Sequence, residues 1–83
     1  MYIAGVLVQA LPGQAAQITA LLTQLPGVEI HAVNPAGKLV LTVEEEEAAQ
    51  ISERVLNLHR LAGVLSAAMI YQYGEDDDAL TAD

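Results

Sequence analysis

"AAQITALLTQLPGV", from Ala15 to Val28, and "AAQISERVLNLHRLAGV", from Ala48 to Val64, are two versions of one phrase. Their "AAQI" openings lie 33 residues apart (48 − 15) and their "GV" closings 36 apart (63 − 27), so the second version holds three extra residues, close to one helical turn. In the first, Ile18, Leu22 and Leu25 recur at helical spacing with Ala15 and Leu21; in the second, Ile51, Val55 and Leu58 do so with Ala48 and Ala62. Each phrase stops on a glycine, Gly27 or Gly63, and passes straight into an apolar run. The unit is a helix, a glycine stop and a strand, and the chain contains it twice.

The flanks complete the pattern. Ile3–Ala10 ("IAGVLVQA") reads as strand 1, broken by Pro12 and Gly13, with Pro12 near the first turn of helix 1. Val28–Val33 ("VEIHAV") alternates as strand 2, Asn34–Gly37 ("NPAG") is a turn, and Lys38–Glu44 ("KLVLTVE") alternates again as strand 3, its hairpin partner. The acidic run Glu44–Glu47 is expected to open helix 2, where negative charge complements the positive end of the helix dipole. Val64–Tyr73 ("VLSAAMIYQY") is strand 4, and residues 74–83 ("GEDDDALTAD") read as an acidic, flexible tail without a core pattern. The order β-α-β-β-α-β is a split βαβ repeat, an α+β ferredoxin-like sandwich over residues 1–73. A four-stranded antiparallel sheet of order 4-1-3-2 is expected, with both helices on one face.

A chain of 83 residues makes one small domain, which buries only about 60–65% of its unfolded surface. Yet 53% of the residues are hydrophobic and the mean hydropathy is +0.35, more apolar surface than so small a domain can hide by itself. The apolar stretches near Ile3–Val8 and Val64–Tyr71 are well short of the ~18–20 residues of a membrane span, so stable membrane insertion is not expected. The N-terminus has no Lys or Arg ahead of its apolar part and reads as a mature, cytoplasmic start rather than a signal peptide. With 3 basic and 11 acidic residues, net −8, nucleic acid is an unsuitable partner, whereas a basic peptide suits it.

Strand parity divides the sheet. The helix-facing set is read as Val6, Val8, Val28, Ile30, Leu39, Leu41, Val43, Leu65, Met69 and Tyr71. The opposite face then shows Ile3, Gly5, Leu7 and Gln9; Glu29, His31 and Val33; Lys38, Val40, Thr42 and Glu44; and Val64, Ser66, Ala68, Ile70 and Gln72. An uncovered sheet face is ordinarily polar. This one keeps Ile3, Leu7, Val33, Val40, Val64 and Ile70, around a floor of small residues at Gly5, Ser66 and Ala68. Such a trough suits an apolar helix, with Glu29, Glu44 and the tail residues Glu75 and Asp76 placed to attract basic residues on it. The other cover for the face is a second copy of the chain, a homodimer closed sheet on sheet.

Catalysis is not indicated. There is no cysteine, which removes disulfides and thiolate chemistry, and the two histidines, His31 on a strand and His59 late in helix 2, make no catalytic pair. His31 reads as a solvated strand residue and His59 as a cation favoured near a helix C-terminus. "EEEE" and "EDDD" lack the spacing of a calcium loop, so neither metal nor cofactor is expected. Copper-chaperone, acylphosphatase-like and RNA-recognition uses of this fold need a CxxC, a loop arginine and strand aromatics respectively; "ALPGQ", "IAGVLVQA" and "KLVLTVE" supply none of them. A small-molecule regulatory domain of the ACT or Lrp/AsnC type stays open as an alternative, since its hallmark junction glycines fit Gly27 and Gly63.

From Ile3 to Tyr73 the chain resembles the NapD family. The carriers are "VLVQA" in strand 1, "LPGVEI" at Leu25–Ile30, "GKLVLTVE" at Gly37–Glu44 and "LAGVLSAAMIYQY" at Leu61–Tyr73, followed by an acidic tail. The resemblance implies a ferredoxin-like chaperone of the cytoplasm. Such a chaperone binds the twin-arginine signal peptide of the periplasmic nitrate reductase catalytic subunit, as a helix on its sheet, and delays Tat export until cofactor insertion is complete. The chain departs from the family in strand 1, where Gly5 stands at a position often filled by a larger or polar residue.

Overall fold

The structure, a computed structural model, describes residues 1–74; the sites expected at Glu75 and Asp76 lie outside the described residues. Six elements follow one another: β1 (Tyr2–Ala10), α1 (Ala15–Leu22), β2 (Val28–Val33), β3 (Lys38–Glu45), α2 (Ala48–His59) and β4 (Val64–Gly74). The strands form one antiparallel sheet in the order β2-β3-β1-β4, the arrangement expected from the repeat. Its central strands are the two with the most regular alternation. Ala4, Val6, Val8 and Ala10 of β1 and Leu39, Leu41 and Val43 of β3 are fully buried. They meet Ile18 and Leu22 of α1 and Ile51 and Leu58 of α2 in a single apolar core, so both helices lie on the same side of the sheet.

The repeated phrase resolves into a repeated turn. Val28 N donates to Leu25 O (3.3 Å) and Val64 N to Leu61 O (3.1 Å), so "LPGV" and "LAGV" close in the same way. The third residue of each takes a positive φ, +78° at Gly27 and +93° at Gly63, as type II turns require; Pro26 supplies the fixed φ suited to the second position. The turns are tied to the sheet by Glu44 N to Gly27 O and Leu11 N to Gly63 O, both 2.8 Å. At Gly27 a Cβ would lie 2.6 Å from the Glu44 carbonyl oxygen. Gly27→Ala is therefore expected to lower stability by about 2 kcal/mol, from left-handed backbone strain and that collision, read as a lower midpoint in urea unfolding.

Several boundaries differ from the sequence reading: β1 starts one residue early, at Tyr2, and β4 continues through Gly74, which pairs with Tyr2 instead of opening the tail. Glu44 and Glu45 belong to β3, and α2 begins only at Ala48, with no acidic residue in its first turn. The acidic run therefore precedes the helix instead of opening it. Glu47 stands at the N-cap, and its backbone N–H is taken by Gln50 Oε1 at 3.0 Å. Glu45 pairs with Arg54 nearly two helical turns into α2 (2.5 Å), and Arg54 Nη1 also donates to Pro26 O (3.0 Å), locking α2 over the Leu25–Val28 turn. Helix α1 is short, 8 residues against 12 in α2, because the chain leaves helical geometry ahead of Pro26; Leu25 still packs on the core from the turn.

Candidate functional site

The face opposite the helices is best followed in rows across the strands, since residues directly opposite in an antiparallel sheet share a face. At one end stand Glu44, Ile3 and Tyr73; next come Glu29, Thr42, Gly5 and Tyr71. Ala32, Val40, Leu7 and Ala68 form the third row, and Lys38, Gln9 and Ser66 the fourth. The face is acidic and aromatic at one end, aliphatic in the middle, and polar with a single cation at the other. Ile3 and Leu7 are half-buried, Val40 is 39% exposed, and Ala68, Ser66, Glu29 and Glu44 are exposed.

Three extra residues redirect what simple alternation predicts. In β2, Ile30 pairs with Leu41 but Ala32 with Val40, so His31 is the inserted residue and Val33 falls opposite Leu39, on the helix side. Ala32, not Val33, thus completes the aliphatic row. In β4, Met69 pairs with Val6 but Tyr71 with Gly5, leaving Ile70 as the insertion. Beyond it every side chain changes face: Tyr71 leaves the helix side for the open face, and Gln72, opposite Ala4, makes the reverse exchange. At the start of β4, Val64 pairs with Ala10 and packs against the core rather than lining the open face. Leu65, read as helix-facing, sits at the second insertion and is exposed. Of the predicted floor, Ser66 and Ala68 lie as expected. Ile70 is 59% exposed but occupies the bulge, outside the rows.

Gly5 shows why the aromatic end matters. It is buried because the Tyr71 ring lies over it, and a Cβ there would collide with that ring. The glycine leaves space for an aromatic side chain of its own molecule, so the floor expected at this position is a ring, not a hollow. Tyr71 and Tyr73 nonetheless stay 52% and 58% exposed. Alternation hid both tyrosines, and the paired signal that points to them is Gly5 opposite an aromatic residue across neighbouring strands.

The histidines serve structure. His31 Nε2 lies 2.9 Å from Thr42 Oγ1, joining two open-face side chains. His59 is the last residue of α2, and its Nδ1 accepts the Ala67 N–H of the edge strand at 3.1 Å, so the ring supports β4 rather than the helix terminus. Among the described residues no group of three or more His, Cys, Asp or Glu side chains is placed to hold a metal ion. A cavity of about 330 Å³ opens on the helix side between Leu25, Pro26, Asn57, Leu58 and Leu61, but its one cation, Arg54, is already held by Glu45 and Pro26 O. No described helix is long and apolar enough to cross a membrane.

Fold and face together define a small split-βαβ sandwich with one side of its sheet covered by helices and the other uncovered. The model of the NapD family, described as NapD protein, matches residues 1–76. Similar sequences include the Chaperone NapD of Paracoccus pantotrophus, 32% identical over 72 residues, and that of Escherichia coli K12, 25% identical over 75 residues. These alignments cover 87% and 89% of this chain, and 63% and 86% of the respective relatives. The solution structure of the E. coli Tat proofreading chaperone NapD has the same fold: TM-score 0.79 and 24% identity, over 92% of this chain and 82% of that one. The chain belongs to the NapD family.

Proposed function

We propose that this protein is a cytoplasmic chaperone that binds the twin-arginine signal peptide of a periplasmic nitrate reductase catalytic subunit on its open sheet face, delaying Tat export until cofactor insertion is complete. The observation that carries this reading is the order of chemistry along the face: glutamates at one end, then aliphatic side chains, then a lysine. A twin-arginine leader has a basic start followed by an apolar segment with good helix potential, and the two patterns are complementary. Burial of the aliphatic row, at ~25 cal/mol per Å², supplies most of the affinity. Exposed ion pairs add only about 0–1 kcal/mol each and act mainly on orientation and association rate.

A second copy is the poorer cover for the same face, because two chains of net −8 repel, whereas a basic leader is attracted. Titration of isotopically labelled protein with a synthetic twin-arginine leader tests the reading. Amide shifts are expected to concentrate at Leu7, Val40, Ala68 and Tyr71; shifts confined to α1 and α2, or no saturable response, would overturn it.

A further inference from the structure

Resting on that reading, we infer that Tyr71 and Tyr73, together with Glu29 and Glu44, form the seat for the leader's two adjacent guanidinium groups. The leader therefore runs N to C in the same sense as β1. The rows place the four side chains at one end of the face: Tyr73 and Glu44 flank Ile3, while Tyr71 and Glu29 are the outer members of the Gly5–Thr42 row. Acids thus stand on the β2–β3 side and aromatic rings on the β4 side. Consecutive residues of a helix project about 100° apart. A helix lying along the middle of the sheet accordingly sends one of two neighbouring arginines toward the carboxylates and the other toward the rings.

Both destinations suit a guanidinium. A carboxylate accepts two of its N–H groups, and a phenol ring offers its negative face to a planar cation. The rings are more than half exposed, and Gly5 gives Tyr71 a place against the sheet backbone, so the aromatic surface is available without rearranging the core. The opposite end carries Lys38, which repels arginine but complements the negative C-terminal end of a bound helix. Arginine is favoured over lysine by this seat because a guanidinium stacks and forks where an ammonium does neither.

Two measurements test the assignment. Replacing the leader's Arg-Arg by Lys-Lys is expected to weaken binding to the wild-type protein by about tenfold. In the Tyr71→Leu/Tyr73→Leu variant the same replacement is expected to cost about threefold or less. Separately, a nitroxide on the leader's N-terminus, bound to wild-type protein, is expected to broaden the amide signals of Ile3, Gly5 and Tyr73 and spare Lys38 and Ser66. Undiminished tenfold discrimination in the variant, or broadening at the Lys38 end, would overturn the seat while leaving the sheet-face reading intact. Failure of the Arg-Arg leader to bind the wild-type protein would overturn both.

Discussion

Leu7→Asp is expected to weaken leader binding at least fiftyfold while the domain still unfolds cooperatively. Leu7 stands in the aliphatic row between Val40 and Ala68, on the face away from the helices. Replacing it removes apolar contact worth about 1.5–3 kcal/mol and puts a carboxylate where the leader's apolar segment would desolvate it. The fold tolerates the change because the core is built from the opposite side of the same strand, through Ala4, Val6, Val8 and Ala10. Ala68→Arg, one strand over, is a second probe that sets a cation in the same row. Isothermal titration calorimetry on both variants, with circular dichroism melts alongside, reads the effect. Wild-type affinity in both would remove the sheet face from recognition.

The largest effect on stability is expected from Leu41→Ala, with a loss of about 3 kcal/mol. Leu41 is fully buried at the centre of β3, paired with Val6 on one side and Ile30 on the other. The leucine-to-alanine change leaves a cavity that close-packed neighbours fill only in part. For an 83-residue domain, with a total stability on the order of 4–12 kcal/mol, that is a large share. Its neighbour Val40, on the open face, is the internal control: Val40→Ala is expected to change stability by less than about 1 kcal/mol while weakening the leader complex. Urea unfolding of the two variants checks the pair, and equal destabilisation would contradict the division of β3 into a core side and a binding side.

Much of this architecture can be read from residues alone, because the signals involved are local. The Leu-x-Gly-Val turns, the "NPAG" connection and the strict alternation of β1 and β3 each need only a few consecutive residues. In the last of these turns Gly37 N bonds Asn34 O at 3.0 Å and Lys38 N bonds Asn34 Oδ1 at 2.9 Å, as its composition suggests. The open face was accordingly legible along its centre, at Gly5, Leu7, Val40, Ser66 and Ala68, and at Glu29 and Glu44. Its margins were not. The insertions at His31, Leu65 and Ile70 are properties of pairing between strands, and no local composition announces them. One unpaired residue puts the side chains before and after it out of phase, which is why Val33, Val64 and Tyr71 all lie on the side opposite to that expected. The glutamates before α2 misled for a different reason. Acidic residues favour a helix start and also tolerate the exposed end of a strand, and here pairing of Glu44 and Glu45 with β1 decided the matter.

The bulge at Ile70 also decides which way the end of β4 faces. Drawing that one residue into regular pairing would set Ile70 opposite Gly5, turn the two phenol rings toward the helices and bring Gln72 outward, with composition and net charge unchanged. Whether this end of the sheet shows aromatic rings or an amide is therefore decided by register alone, the same residues serving either surface.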